Sequence, residues 1–278
     1  IKREGGFPLA LDIGAGVGHI HRAICSDDAI DGVGGIGGVR KLVQLDSSEL
    51  MLHRNQGETV PGEAERCGTY KLVADEEARM PFPDGTFDLV ISSTALHWVN
   101  DLPNMLLEIK RVLKPDGCLM FAMVGGATLT ELRSSLVLAE LERDGGVSPH
   151  VGPFVDFSDV GSLLTSAGFT LPTVDIDTIK IGYPNAMILM EHLQRMGEGN
   201  ASLQRRERIG VDTFLAASCI YDEMFKLDDD GDDGVEASAQ IIYAIGWTPH
   251  ESQPQPLERG TAKHKVGDVN VVHTETKK

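Results

Sequence analysis

The chain has 278 residues, enough to bury the core of one full α/β domain with additions. It holds 42 Asp and Glu against 25 Lys and Arg, a formal net charge of −17 at pH 7; this weighs against nucleic acid as a partner, because phosphate binding needs clustered Lys and Arg. The four cysteines (Cys25, Cys67, Cys118, Cys219) show no C-x-x-C pair, which fits a reducing compartment and argues against a zinc site or disulfide framework, and no apolar run approaches the ~20 residues that span a bilayer.

Residues 9–18 read Leu-Ala-Leu-Asp-Ile-Gly-Ala-Gly-Val-Gly. This predicts a short buried strand, a tight turn at Gly14, Gly16 and Gly18, and a helix over 17–25. Glycine accepts positive φ and lets backbone approach a ligand, and the helix start offers free N–H groups to a carboxylate or phosphate. The spacing is Asp-x-Gly-x-Gly-x-Gly, unlike the G-x-G-x-x-G of dinucleotide turns. The alternative is a glycine turn with no ligand. Residues 26–38 are a loop by composition, and no Gly-Lys-Ser/Thr follows to make it a P-loop. Residues 39–45 predict a second strand ending at Asp46, where one carboxylate can accept from both hydroxyls of a ribose; the alternative is that Asp46 caps the helix beginning near Ser47. A third strand over 69–74 leads to Asp75-Glu76-Glu77. Phe87 to Ser92 is a fourth, central in a parallel sheet by its unbroken apolar run. Asp101-Leu-Pro opens a helix whose buried face is Leu102, Met105, Leu106, Ile109, Val112 and Leu113; Lys114-Pro-Asp-Gly ends it, and 118–124 is the fifth strand.

The second half predicts a helix over 127–143, with Leu129, Leu132, Leu136 and Ala139 on one face and Glu131, Arg133, Glu140, Glu142 and Arg143 largely elsewhere. A loop through Ser148-Pro-His150 follows, then a helix over 158–167 closed by Gly168. Residues 171–181 alternate like a half-buried strand. Helices are expected over 186–197 and 203–225, and a closing strand over 239–247. Asp228–Asp233 lacks the terminal Glu of a Ca²⁺ loop and reads as a solvated acidic loop. The tail from about 249 is polar and Pro-rich. The fold class is therefore α/β: a doubly wound, mostly parallel seven-stranded sheet with helical insertions in the second half. Ligands of such sheets sit outside the carboxyl ends of the strands. Gly14–Gly18, Asp46, Asp75 and Ser92–Ser93 all fall at such ends.

Asp12-x-Gly-x-Gly-x-Gly, Asp46, Ala74-Asp75-Glu76, Pro81-Phe-Pro-Asp-Gly-Thr-Phe-Asp and Leu113-Lys-Pro-Asp-Gly together resemble the class I methyltransferases that use S-adenosylmethionine (SAM), a Rossmann-like fold. Ala95-Leu-His-Trp-Val-Asn-Asp-Leu-Pro, Thr130-Glu-Leu-Arg-Ser-Ser-Leu, Glu140-Leu-Glu-Arg-Asp-Gly-Gly-Val-Ser-Pro-His and Glu191-His-Leu-Gln-Arg-Met-Gly-Glu are similar to the mitochondrial assembly-factor family of respiratory complex I described as protein arginine hydroxylases. So are Ile245-Gly-Trp, His250-Glu-Ser-Gln and Glu258-Arg-Gly. The similarity runs from about residue 7 to about 268 and departs at 31–38, 57–68 and 228–233. That family's N-terminal helices are absent, and the first strand comes within about ten residues of Ile1, so the sequence is expected to be a piece of a longer chain. The expected division is a domain over 7–248, with a SAM-binding half (7–124) and a substrate and assembly half (125–248), and an extended tail over 249–278.

The resemblance implies SAM as cofactor and an arginine of a core subunit of nascent complex I as substrate. It implies a place in the mitochondrial matrix on the inner-membrane side. Docking there is expected through protein contacts, since the acidic charge opposes anionic lipid. Gly14, Gly16 and Gly18 would lie against the methionine part, Asp46 would hold the ribose, and Asp75, with Glu76 beside it, would accept from the adenine amino group. Asp12 would position the turn or reach the ammonium through water, and Ser92 would lie at the crevice. His97 is a candidate base and Trp98 a pocket wall; the alternative for His97 is a hydrogen-bonded structural histidine. Arg133, Glu140, Glu142 and His150 are candidate substrate contacts, with Glu131, Glu140 and Glu142 suited to a bidentate guanidinium; the alternative is a solvated helix face or a loop cap. No metal is expected: His19 and His21, two apart on one helix, point to different faces. Two other functions stay open, a SAM-dependent methyltransferase for a small molecule or carrier-linked carboxylate and a non-catalytic assembly chaperone. The first half also resembles enzymes that methylate a malonyl thioester.

Overall fold

A computed structural model describes residues 6–25, 36–54, 67–206, 208–227 and 234–254. Seven strands form one sheet in the order β3-β2-β1-β4-β5-β7-β6. They are β1 (Leu9–Ile13), β2 (Lys41–Asp46), β3 (Gly68–Val73), β4 (Phe87–Ser93), β5 (Leu113–Val124), β6 (Thr170–Tyr183) and β7 (Val235–Trp247). Pairings from β3 through β5 are parallel, and β7 runs antiparallel to both β5 and β6. The helices are α1 (His19–Cys25), α2 (Glu49–His53), α3 (Leu102–Val112), α4 (Thr130–Arg143), α5 (Phe157–Ser166), α6 (Ala186–Met196) and α7 (Val211–Met224).

The unbroken apolar runs of the central strands have a direct cause. Leu11 and Ile13 of β1 enter the core under α3 and α5, while Ala10 enters a second core with Ile24, Leu42 and Leu89 on the other face. A parallel sheet covered on both sides has no wet face. Asp101 caps α3 by accepting from the Asn104 amide, and Leu102, Met105, Leu106, Ile109 and Val112 are all buried. Each such side chain contributes ~1.5–3 kcal/mol relative to exposure. A third cluster packs α4, α6 and α7 together through Leu132, Leu136, Leu189 and Tyr221, against Val235 and Ala237 of β7. Among the described residues no helix is long and apolar enough to cross a membrane.

Several elements differ from the sequence reading; the closing strand expected from 239, for one, already begins at Val235. The helix expected from 127 begins at Thr130, because Leu129 takes φ 53° and its amide donates to the Ser238 carbonyl of β7. The helix expected from 203 begins at Val211: the Arg206 amide is drawn to Ser148 Oγ, and its guanidinium meets Asp144 Oδ2 at 3.0 Å. The fifth strand already pairs at Leu113, with a register shift before Cys118. No residue of β6, an edge strand, is buried; in place of the expected half-buried face, only its Val174 and Tyr183 pack against the cores. Residues 249–254 are held to the domain, since Gln253 bonds to Thr170, Asp116 and the Thr248 carbonyl. The glycine loop at 26–35, the insertion at 55–66, the acidic loop 228–233 and the tail from 255 lie outside the described residues.

Candidate functional site

The glycine turn sits between β1 and α1 and is tied to β2. The amides of Gly14 and Ala15 both donate to the Leu45 carbonyl, and the Gly16 amide donates to Asp46 Oδ2 at 2.8 Å. Gly14 has φ +67°, and a Cβ there would lie 2.2 Å from the Ala95 Cβ, so no side chain fits. At Gly16 the nearest atom to a Cβ is Met51 Cε at 4.0 Å, an opening onto a cavity. Gly18 is different: its Cβ would press on Gln44 Nε2 at 3.1 Å, and it does not line the cavity. Its glycine serves helix–sheet packing, which corrects its expected place against a ligand.

The cavity has a volume of about 570 Å³ and is walled by Asp12, Gly14, Gly16, Asp46, Asp75 and Trp98, among others. Asp46 lies at the end of β2. Its Oδ1 accepts from the Ser48 amide at 2.8 Å and its Oδ2 from Gly16, leaving lone pairs on both oxygens for a ligand. Holding the turn, expected of Asp12, therefore falls to Asp46. The helix cap belongs to Ser48, whose Oγ accepts from the Met51 amide. Asp75 Oδ1 accepts from the Glu77 amide, and Glu76 Oε1 accepts from the Ser47 amide; both acids line the cavity.

Asp12 is 1% exposed, and among the described residues neither carboxylate oxygen has a hydrogen-bond partner. Burial, aided by the negative charge of Asp46, pushes its pKa up to about 8. A buried acid without partners on a cavity wall is a group waiting for a donor or a cation.

Ser92 does not reach the cavity. It is buried, and its Oγ donates to the Ile13 carbonyl at 2.9 Å; Ser93 and Thr94 line the wall in its place. The residue parity of the strand decides this, since neighbours on a strand face opposite ways. His97 and Trp98 belong to a 3₁₀ turn over Leu96–Trp98. Trp98 is 47% exposed and lines the first cavity and a larger second one of about 1060 Å³. His97 lines the second cavity and does not reach the first. Its Nε2 lies 3.3 Å from Glu198 Oε1, and its buried Nδ1 has no hydrogen-bond partner among the described residues. Glu198 was missed by sequence reasoning: it follows the Gly197 helix stop, and no spacing ties it to a residue 101 positions earlier.

The expected substrate set does not converge. Glu140 is 0% exposed, accepting from the Ser148 amide at 2.8 Å and from His150 Nε2 at 2.9 Å. His150 Nδ1 is held by Asn200 Oδ1, and Arg206 Nη1 approaches Glu140 at 3.8 Å. Glu140 and His150 thus clamp the loop after α4 and are not open to a substrate guanidinium. Helical spacing carried the signal, because Glu140 lies four residues after Leu136 on the buried stripe. Glu131 accepts from Ser238 Oγ, Glu142 is exposed beside Arg143, and Arg133 is exposed at a separate cavity of about 380 Å³. Among the described residues no group of three or more His, Cys, Asp or Glu is placed to hold a metal; His21 is buried and its Nε2 meets Thr69 Oγ1.

A methyltransferase domain model matches residues 11–121. The mitochondrial arginine-hydroxylase NDUFAF5 of Homo sapiens is 45% identical over 267 residues, covering 96% of this chain and 71% of that relative. The chain belongs to this family. It is accordingly an enzyme chain of the methyltransferase superfamily, and its relatives are named mitochondrial. The family is adjoined by other methyltransferases: the malonyl-[acyl-carrier protein] O-methyltransferase of Laribacter hongkongensis is 32% identical over 224 residues, 79% of this chain and 72% of that protein. The YcgJ protein of Bacillus subtilis superposes with a TM-score of 0.56 over 90% of this chain and 94% of its own, at 16% identity, so the fold is common to both.

Proposed function

We propose that this chain binds SAM in the 570 Å³ cavity and hydroxylates an arginine of a core complex I subunit during assembly in the mitochondrion. The observation that carries the cofactor is the lone buried carboxylate of Asp12 beside two glycines that leave no Cβ on the wall. SAM bears an ammonium and a sulfonium, the positive charges such a carboxylate lacks. Gly14 and Gly16 would lie along the methionine part, Asp46 would accept from the ribose hydroxyls with its remaining lone pairs, and Asp75 with Glu76 would face the adenine amino group. Bound SAM would supply an electron-poor methyl carbon, which is methyl-transfer chemistry; hydroxylating an arginine further requires dioxygen and a two-electron reductant as co-reactants, one oxygen atom entering the C–H bond and the other leaving as water. The chain's part is to hold SAM in a cavity lined by Asp12, Asp46 and Trp98, the last shared with the second cavity. The arginine substrate rests on the family, whose members are named arginine-hydroxylases.

Calorimetric titration with S-adenosylhomocysteine tests the cofactor site, wild type against Asp46→Ala. The expected result is micromolar binding that falls by at least about ten-fold in the variant. Unchanged binding in a folded variant overturns the assignment. A second reading, methyl transfer to a carrier-linked carboxylate, is supported by the likeness to the Laribacter enzyme. Mass spectrometry of complex I subunits separates the two: gain of one oxygen atom on an arginine supports hydroxylation, gain of one methylene supports methylation. Full assembly of complex I by Asp46→Ala would favour a chaperone that does not need the cofactor.

A further inference from the structure

The second cavity, of about 1060 Å³, shares Trp98 and Val99 with the first, so a ligand in one abuts a ligand in the other. Its chemistry is one-sided. Three carboxylates line it, Glu198, Asp156 and Asp159, and no Lys or Arg is found among its described lining residues. Asp156 is spent on capping α5, where it accepts from the Ser158 amide. Glu198 meets His97, which adjoins Trp98 of the shared wall. No Lys or Arg pairs with Glu198 among the described residues. Beside it stand the rings of Trp98 and Phe154, the latter edge-on to His97 with centroids 5.7 Å apart.

His97 explains why this acid stays in place. Its side chain is 3% exposed, and Nε2 lies against Glu198 Oε1. With the proton on Nε2 the ring donates to that oxygen, which leaves Oε2 of Glu198 for another donor. His97 Nδ1 is then a bare acceptor, buried and unpartnered. A carboxylate with a spare oxygen, a buried acceptor and aromatic walls in a cavity without cations describe a receptor for a flat, delocalised cation with several N–H donors. An ammonium fits less well, since it is compact and strongly hydrated, whereas a guanidinium stacks on rings and meets a carboxylate in bidentate fashion. An anionic acceptor would meet only repulsion.

We propose that Glu198, positioned by His97, binds the guanidinium of a substrate arginine in the second cavity, with Trp98 dividing it from the cofactor. This rests on the arginine reading above and moves the recognition carboxylate from α4 to the end of α6.

The test uses two blocked tripeptides, acetyl-Gly-Arg-Gly-amide and its citrulline twin, which is nearly isosteric and uncharged. Each is titrated into the whole chain, wild type and Glu198→Gln, and S-adenosylhomocysteine is titrated in parallel. Wild type is expected to prefer the arginine peptide by at least about ten-fold. Glu198→Gln is expected to erase that preference with unchanged S-adenosylhomocysteine affinity, which also reports that the variant is folded. A preference retained in Glu198→Gln overturns the proposal, as does a wild type that binds both peptides alike or neither. Loss of S-adenosylhomocysteine binding in wild type itself would overturn the cofactor reading and leave the peptide comparison valid.

Discussion

Asp12 at the end of β1 and Glu140 in the last turn of α4 are equally withdrawn from water, 1% and 0% exposed, yet their surroundings are opposite. Glu140 is saturated: a backbone amide, a histidine nitrogen and a nearby guanidinium converge on it. Asp12 has no hydrogen-bond partner among the described residues and borders a cavity. Burial of an acid therefore does not mark a site. What separates clamp from site is whether the fold itself supplies the donors, because an ionised carboxylate in low dielectric must be paired or take up a proton.

The largest effect expected from this contrast is at the clamp. Glu140→Ala strips the acceptor from the Ser148 amide and from His150 and should cost about 3 kcal/mol in urea unfolding. A loss below about 1 kcal/mol would mean that the loop network is loosely held, and the contrast would fail on that side.

Asp12 should respond in the opposite direction. Its folded pKa of about 8 stands above the unfolded value of 3.8, so the folded chain keeps a proton that the unfolded chain has released between those values. Stability from this group is thus present at low pH and declines as pH rises toward 8. Asp12→Asn, which cannot ionise, should raise the melting temperature by about 4 °C at pH 8.5 and by much less at pH 5, checked by thermal unfolding at both. Its S-adenosylhomocysteine affinity should fall, since the carboxylate proposed to meet the ligand ammonium is gone. A variant with no pH-dependent gain would show that Asp12 is solvated or paired.

The smallest effect sharpens the same line. Glu142, two residues from Glu140, is exposed and 4.0 Å from Arg143. Glu142→Gln should alter stability by less than about 0.5 kcal/mol and leave peptide binding untouched. A measurable loss of arginine-peptide affinity would return part of the recognition to α4.

Several of these placements were legible beforehand. Asp-x-Gly-x-Gly-x-Gly, Asp46 and Asp75 act through backbone turns and strand ends, which are local in sequence, and the topology rule gathers strand ends at one crevice. Ser92 and Gly18 were misplaced because a neighbour on a strand or turn faces the other way, a matter of one residue of parity. Glu140 sits on the apolar stripe by spacing, yet its charge argued for solvent, and only the loop folding back from Ser148 to His150 makes its burial tolerable.

The α/β alternation, the glycine turn and the acids at the ends of β2 and β3 follow from periodicity and local backbone demands, so they can be read from the residues in order. The tertiary structure alone decided which acids are satisfied and that His97 meets Glu198 rather than the first cavity. Those contacts join residues far apart in the chain, and a hydrogen bond depends on distance and direction, which composition and spacing do not encode.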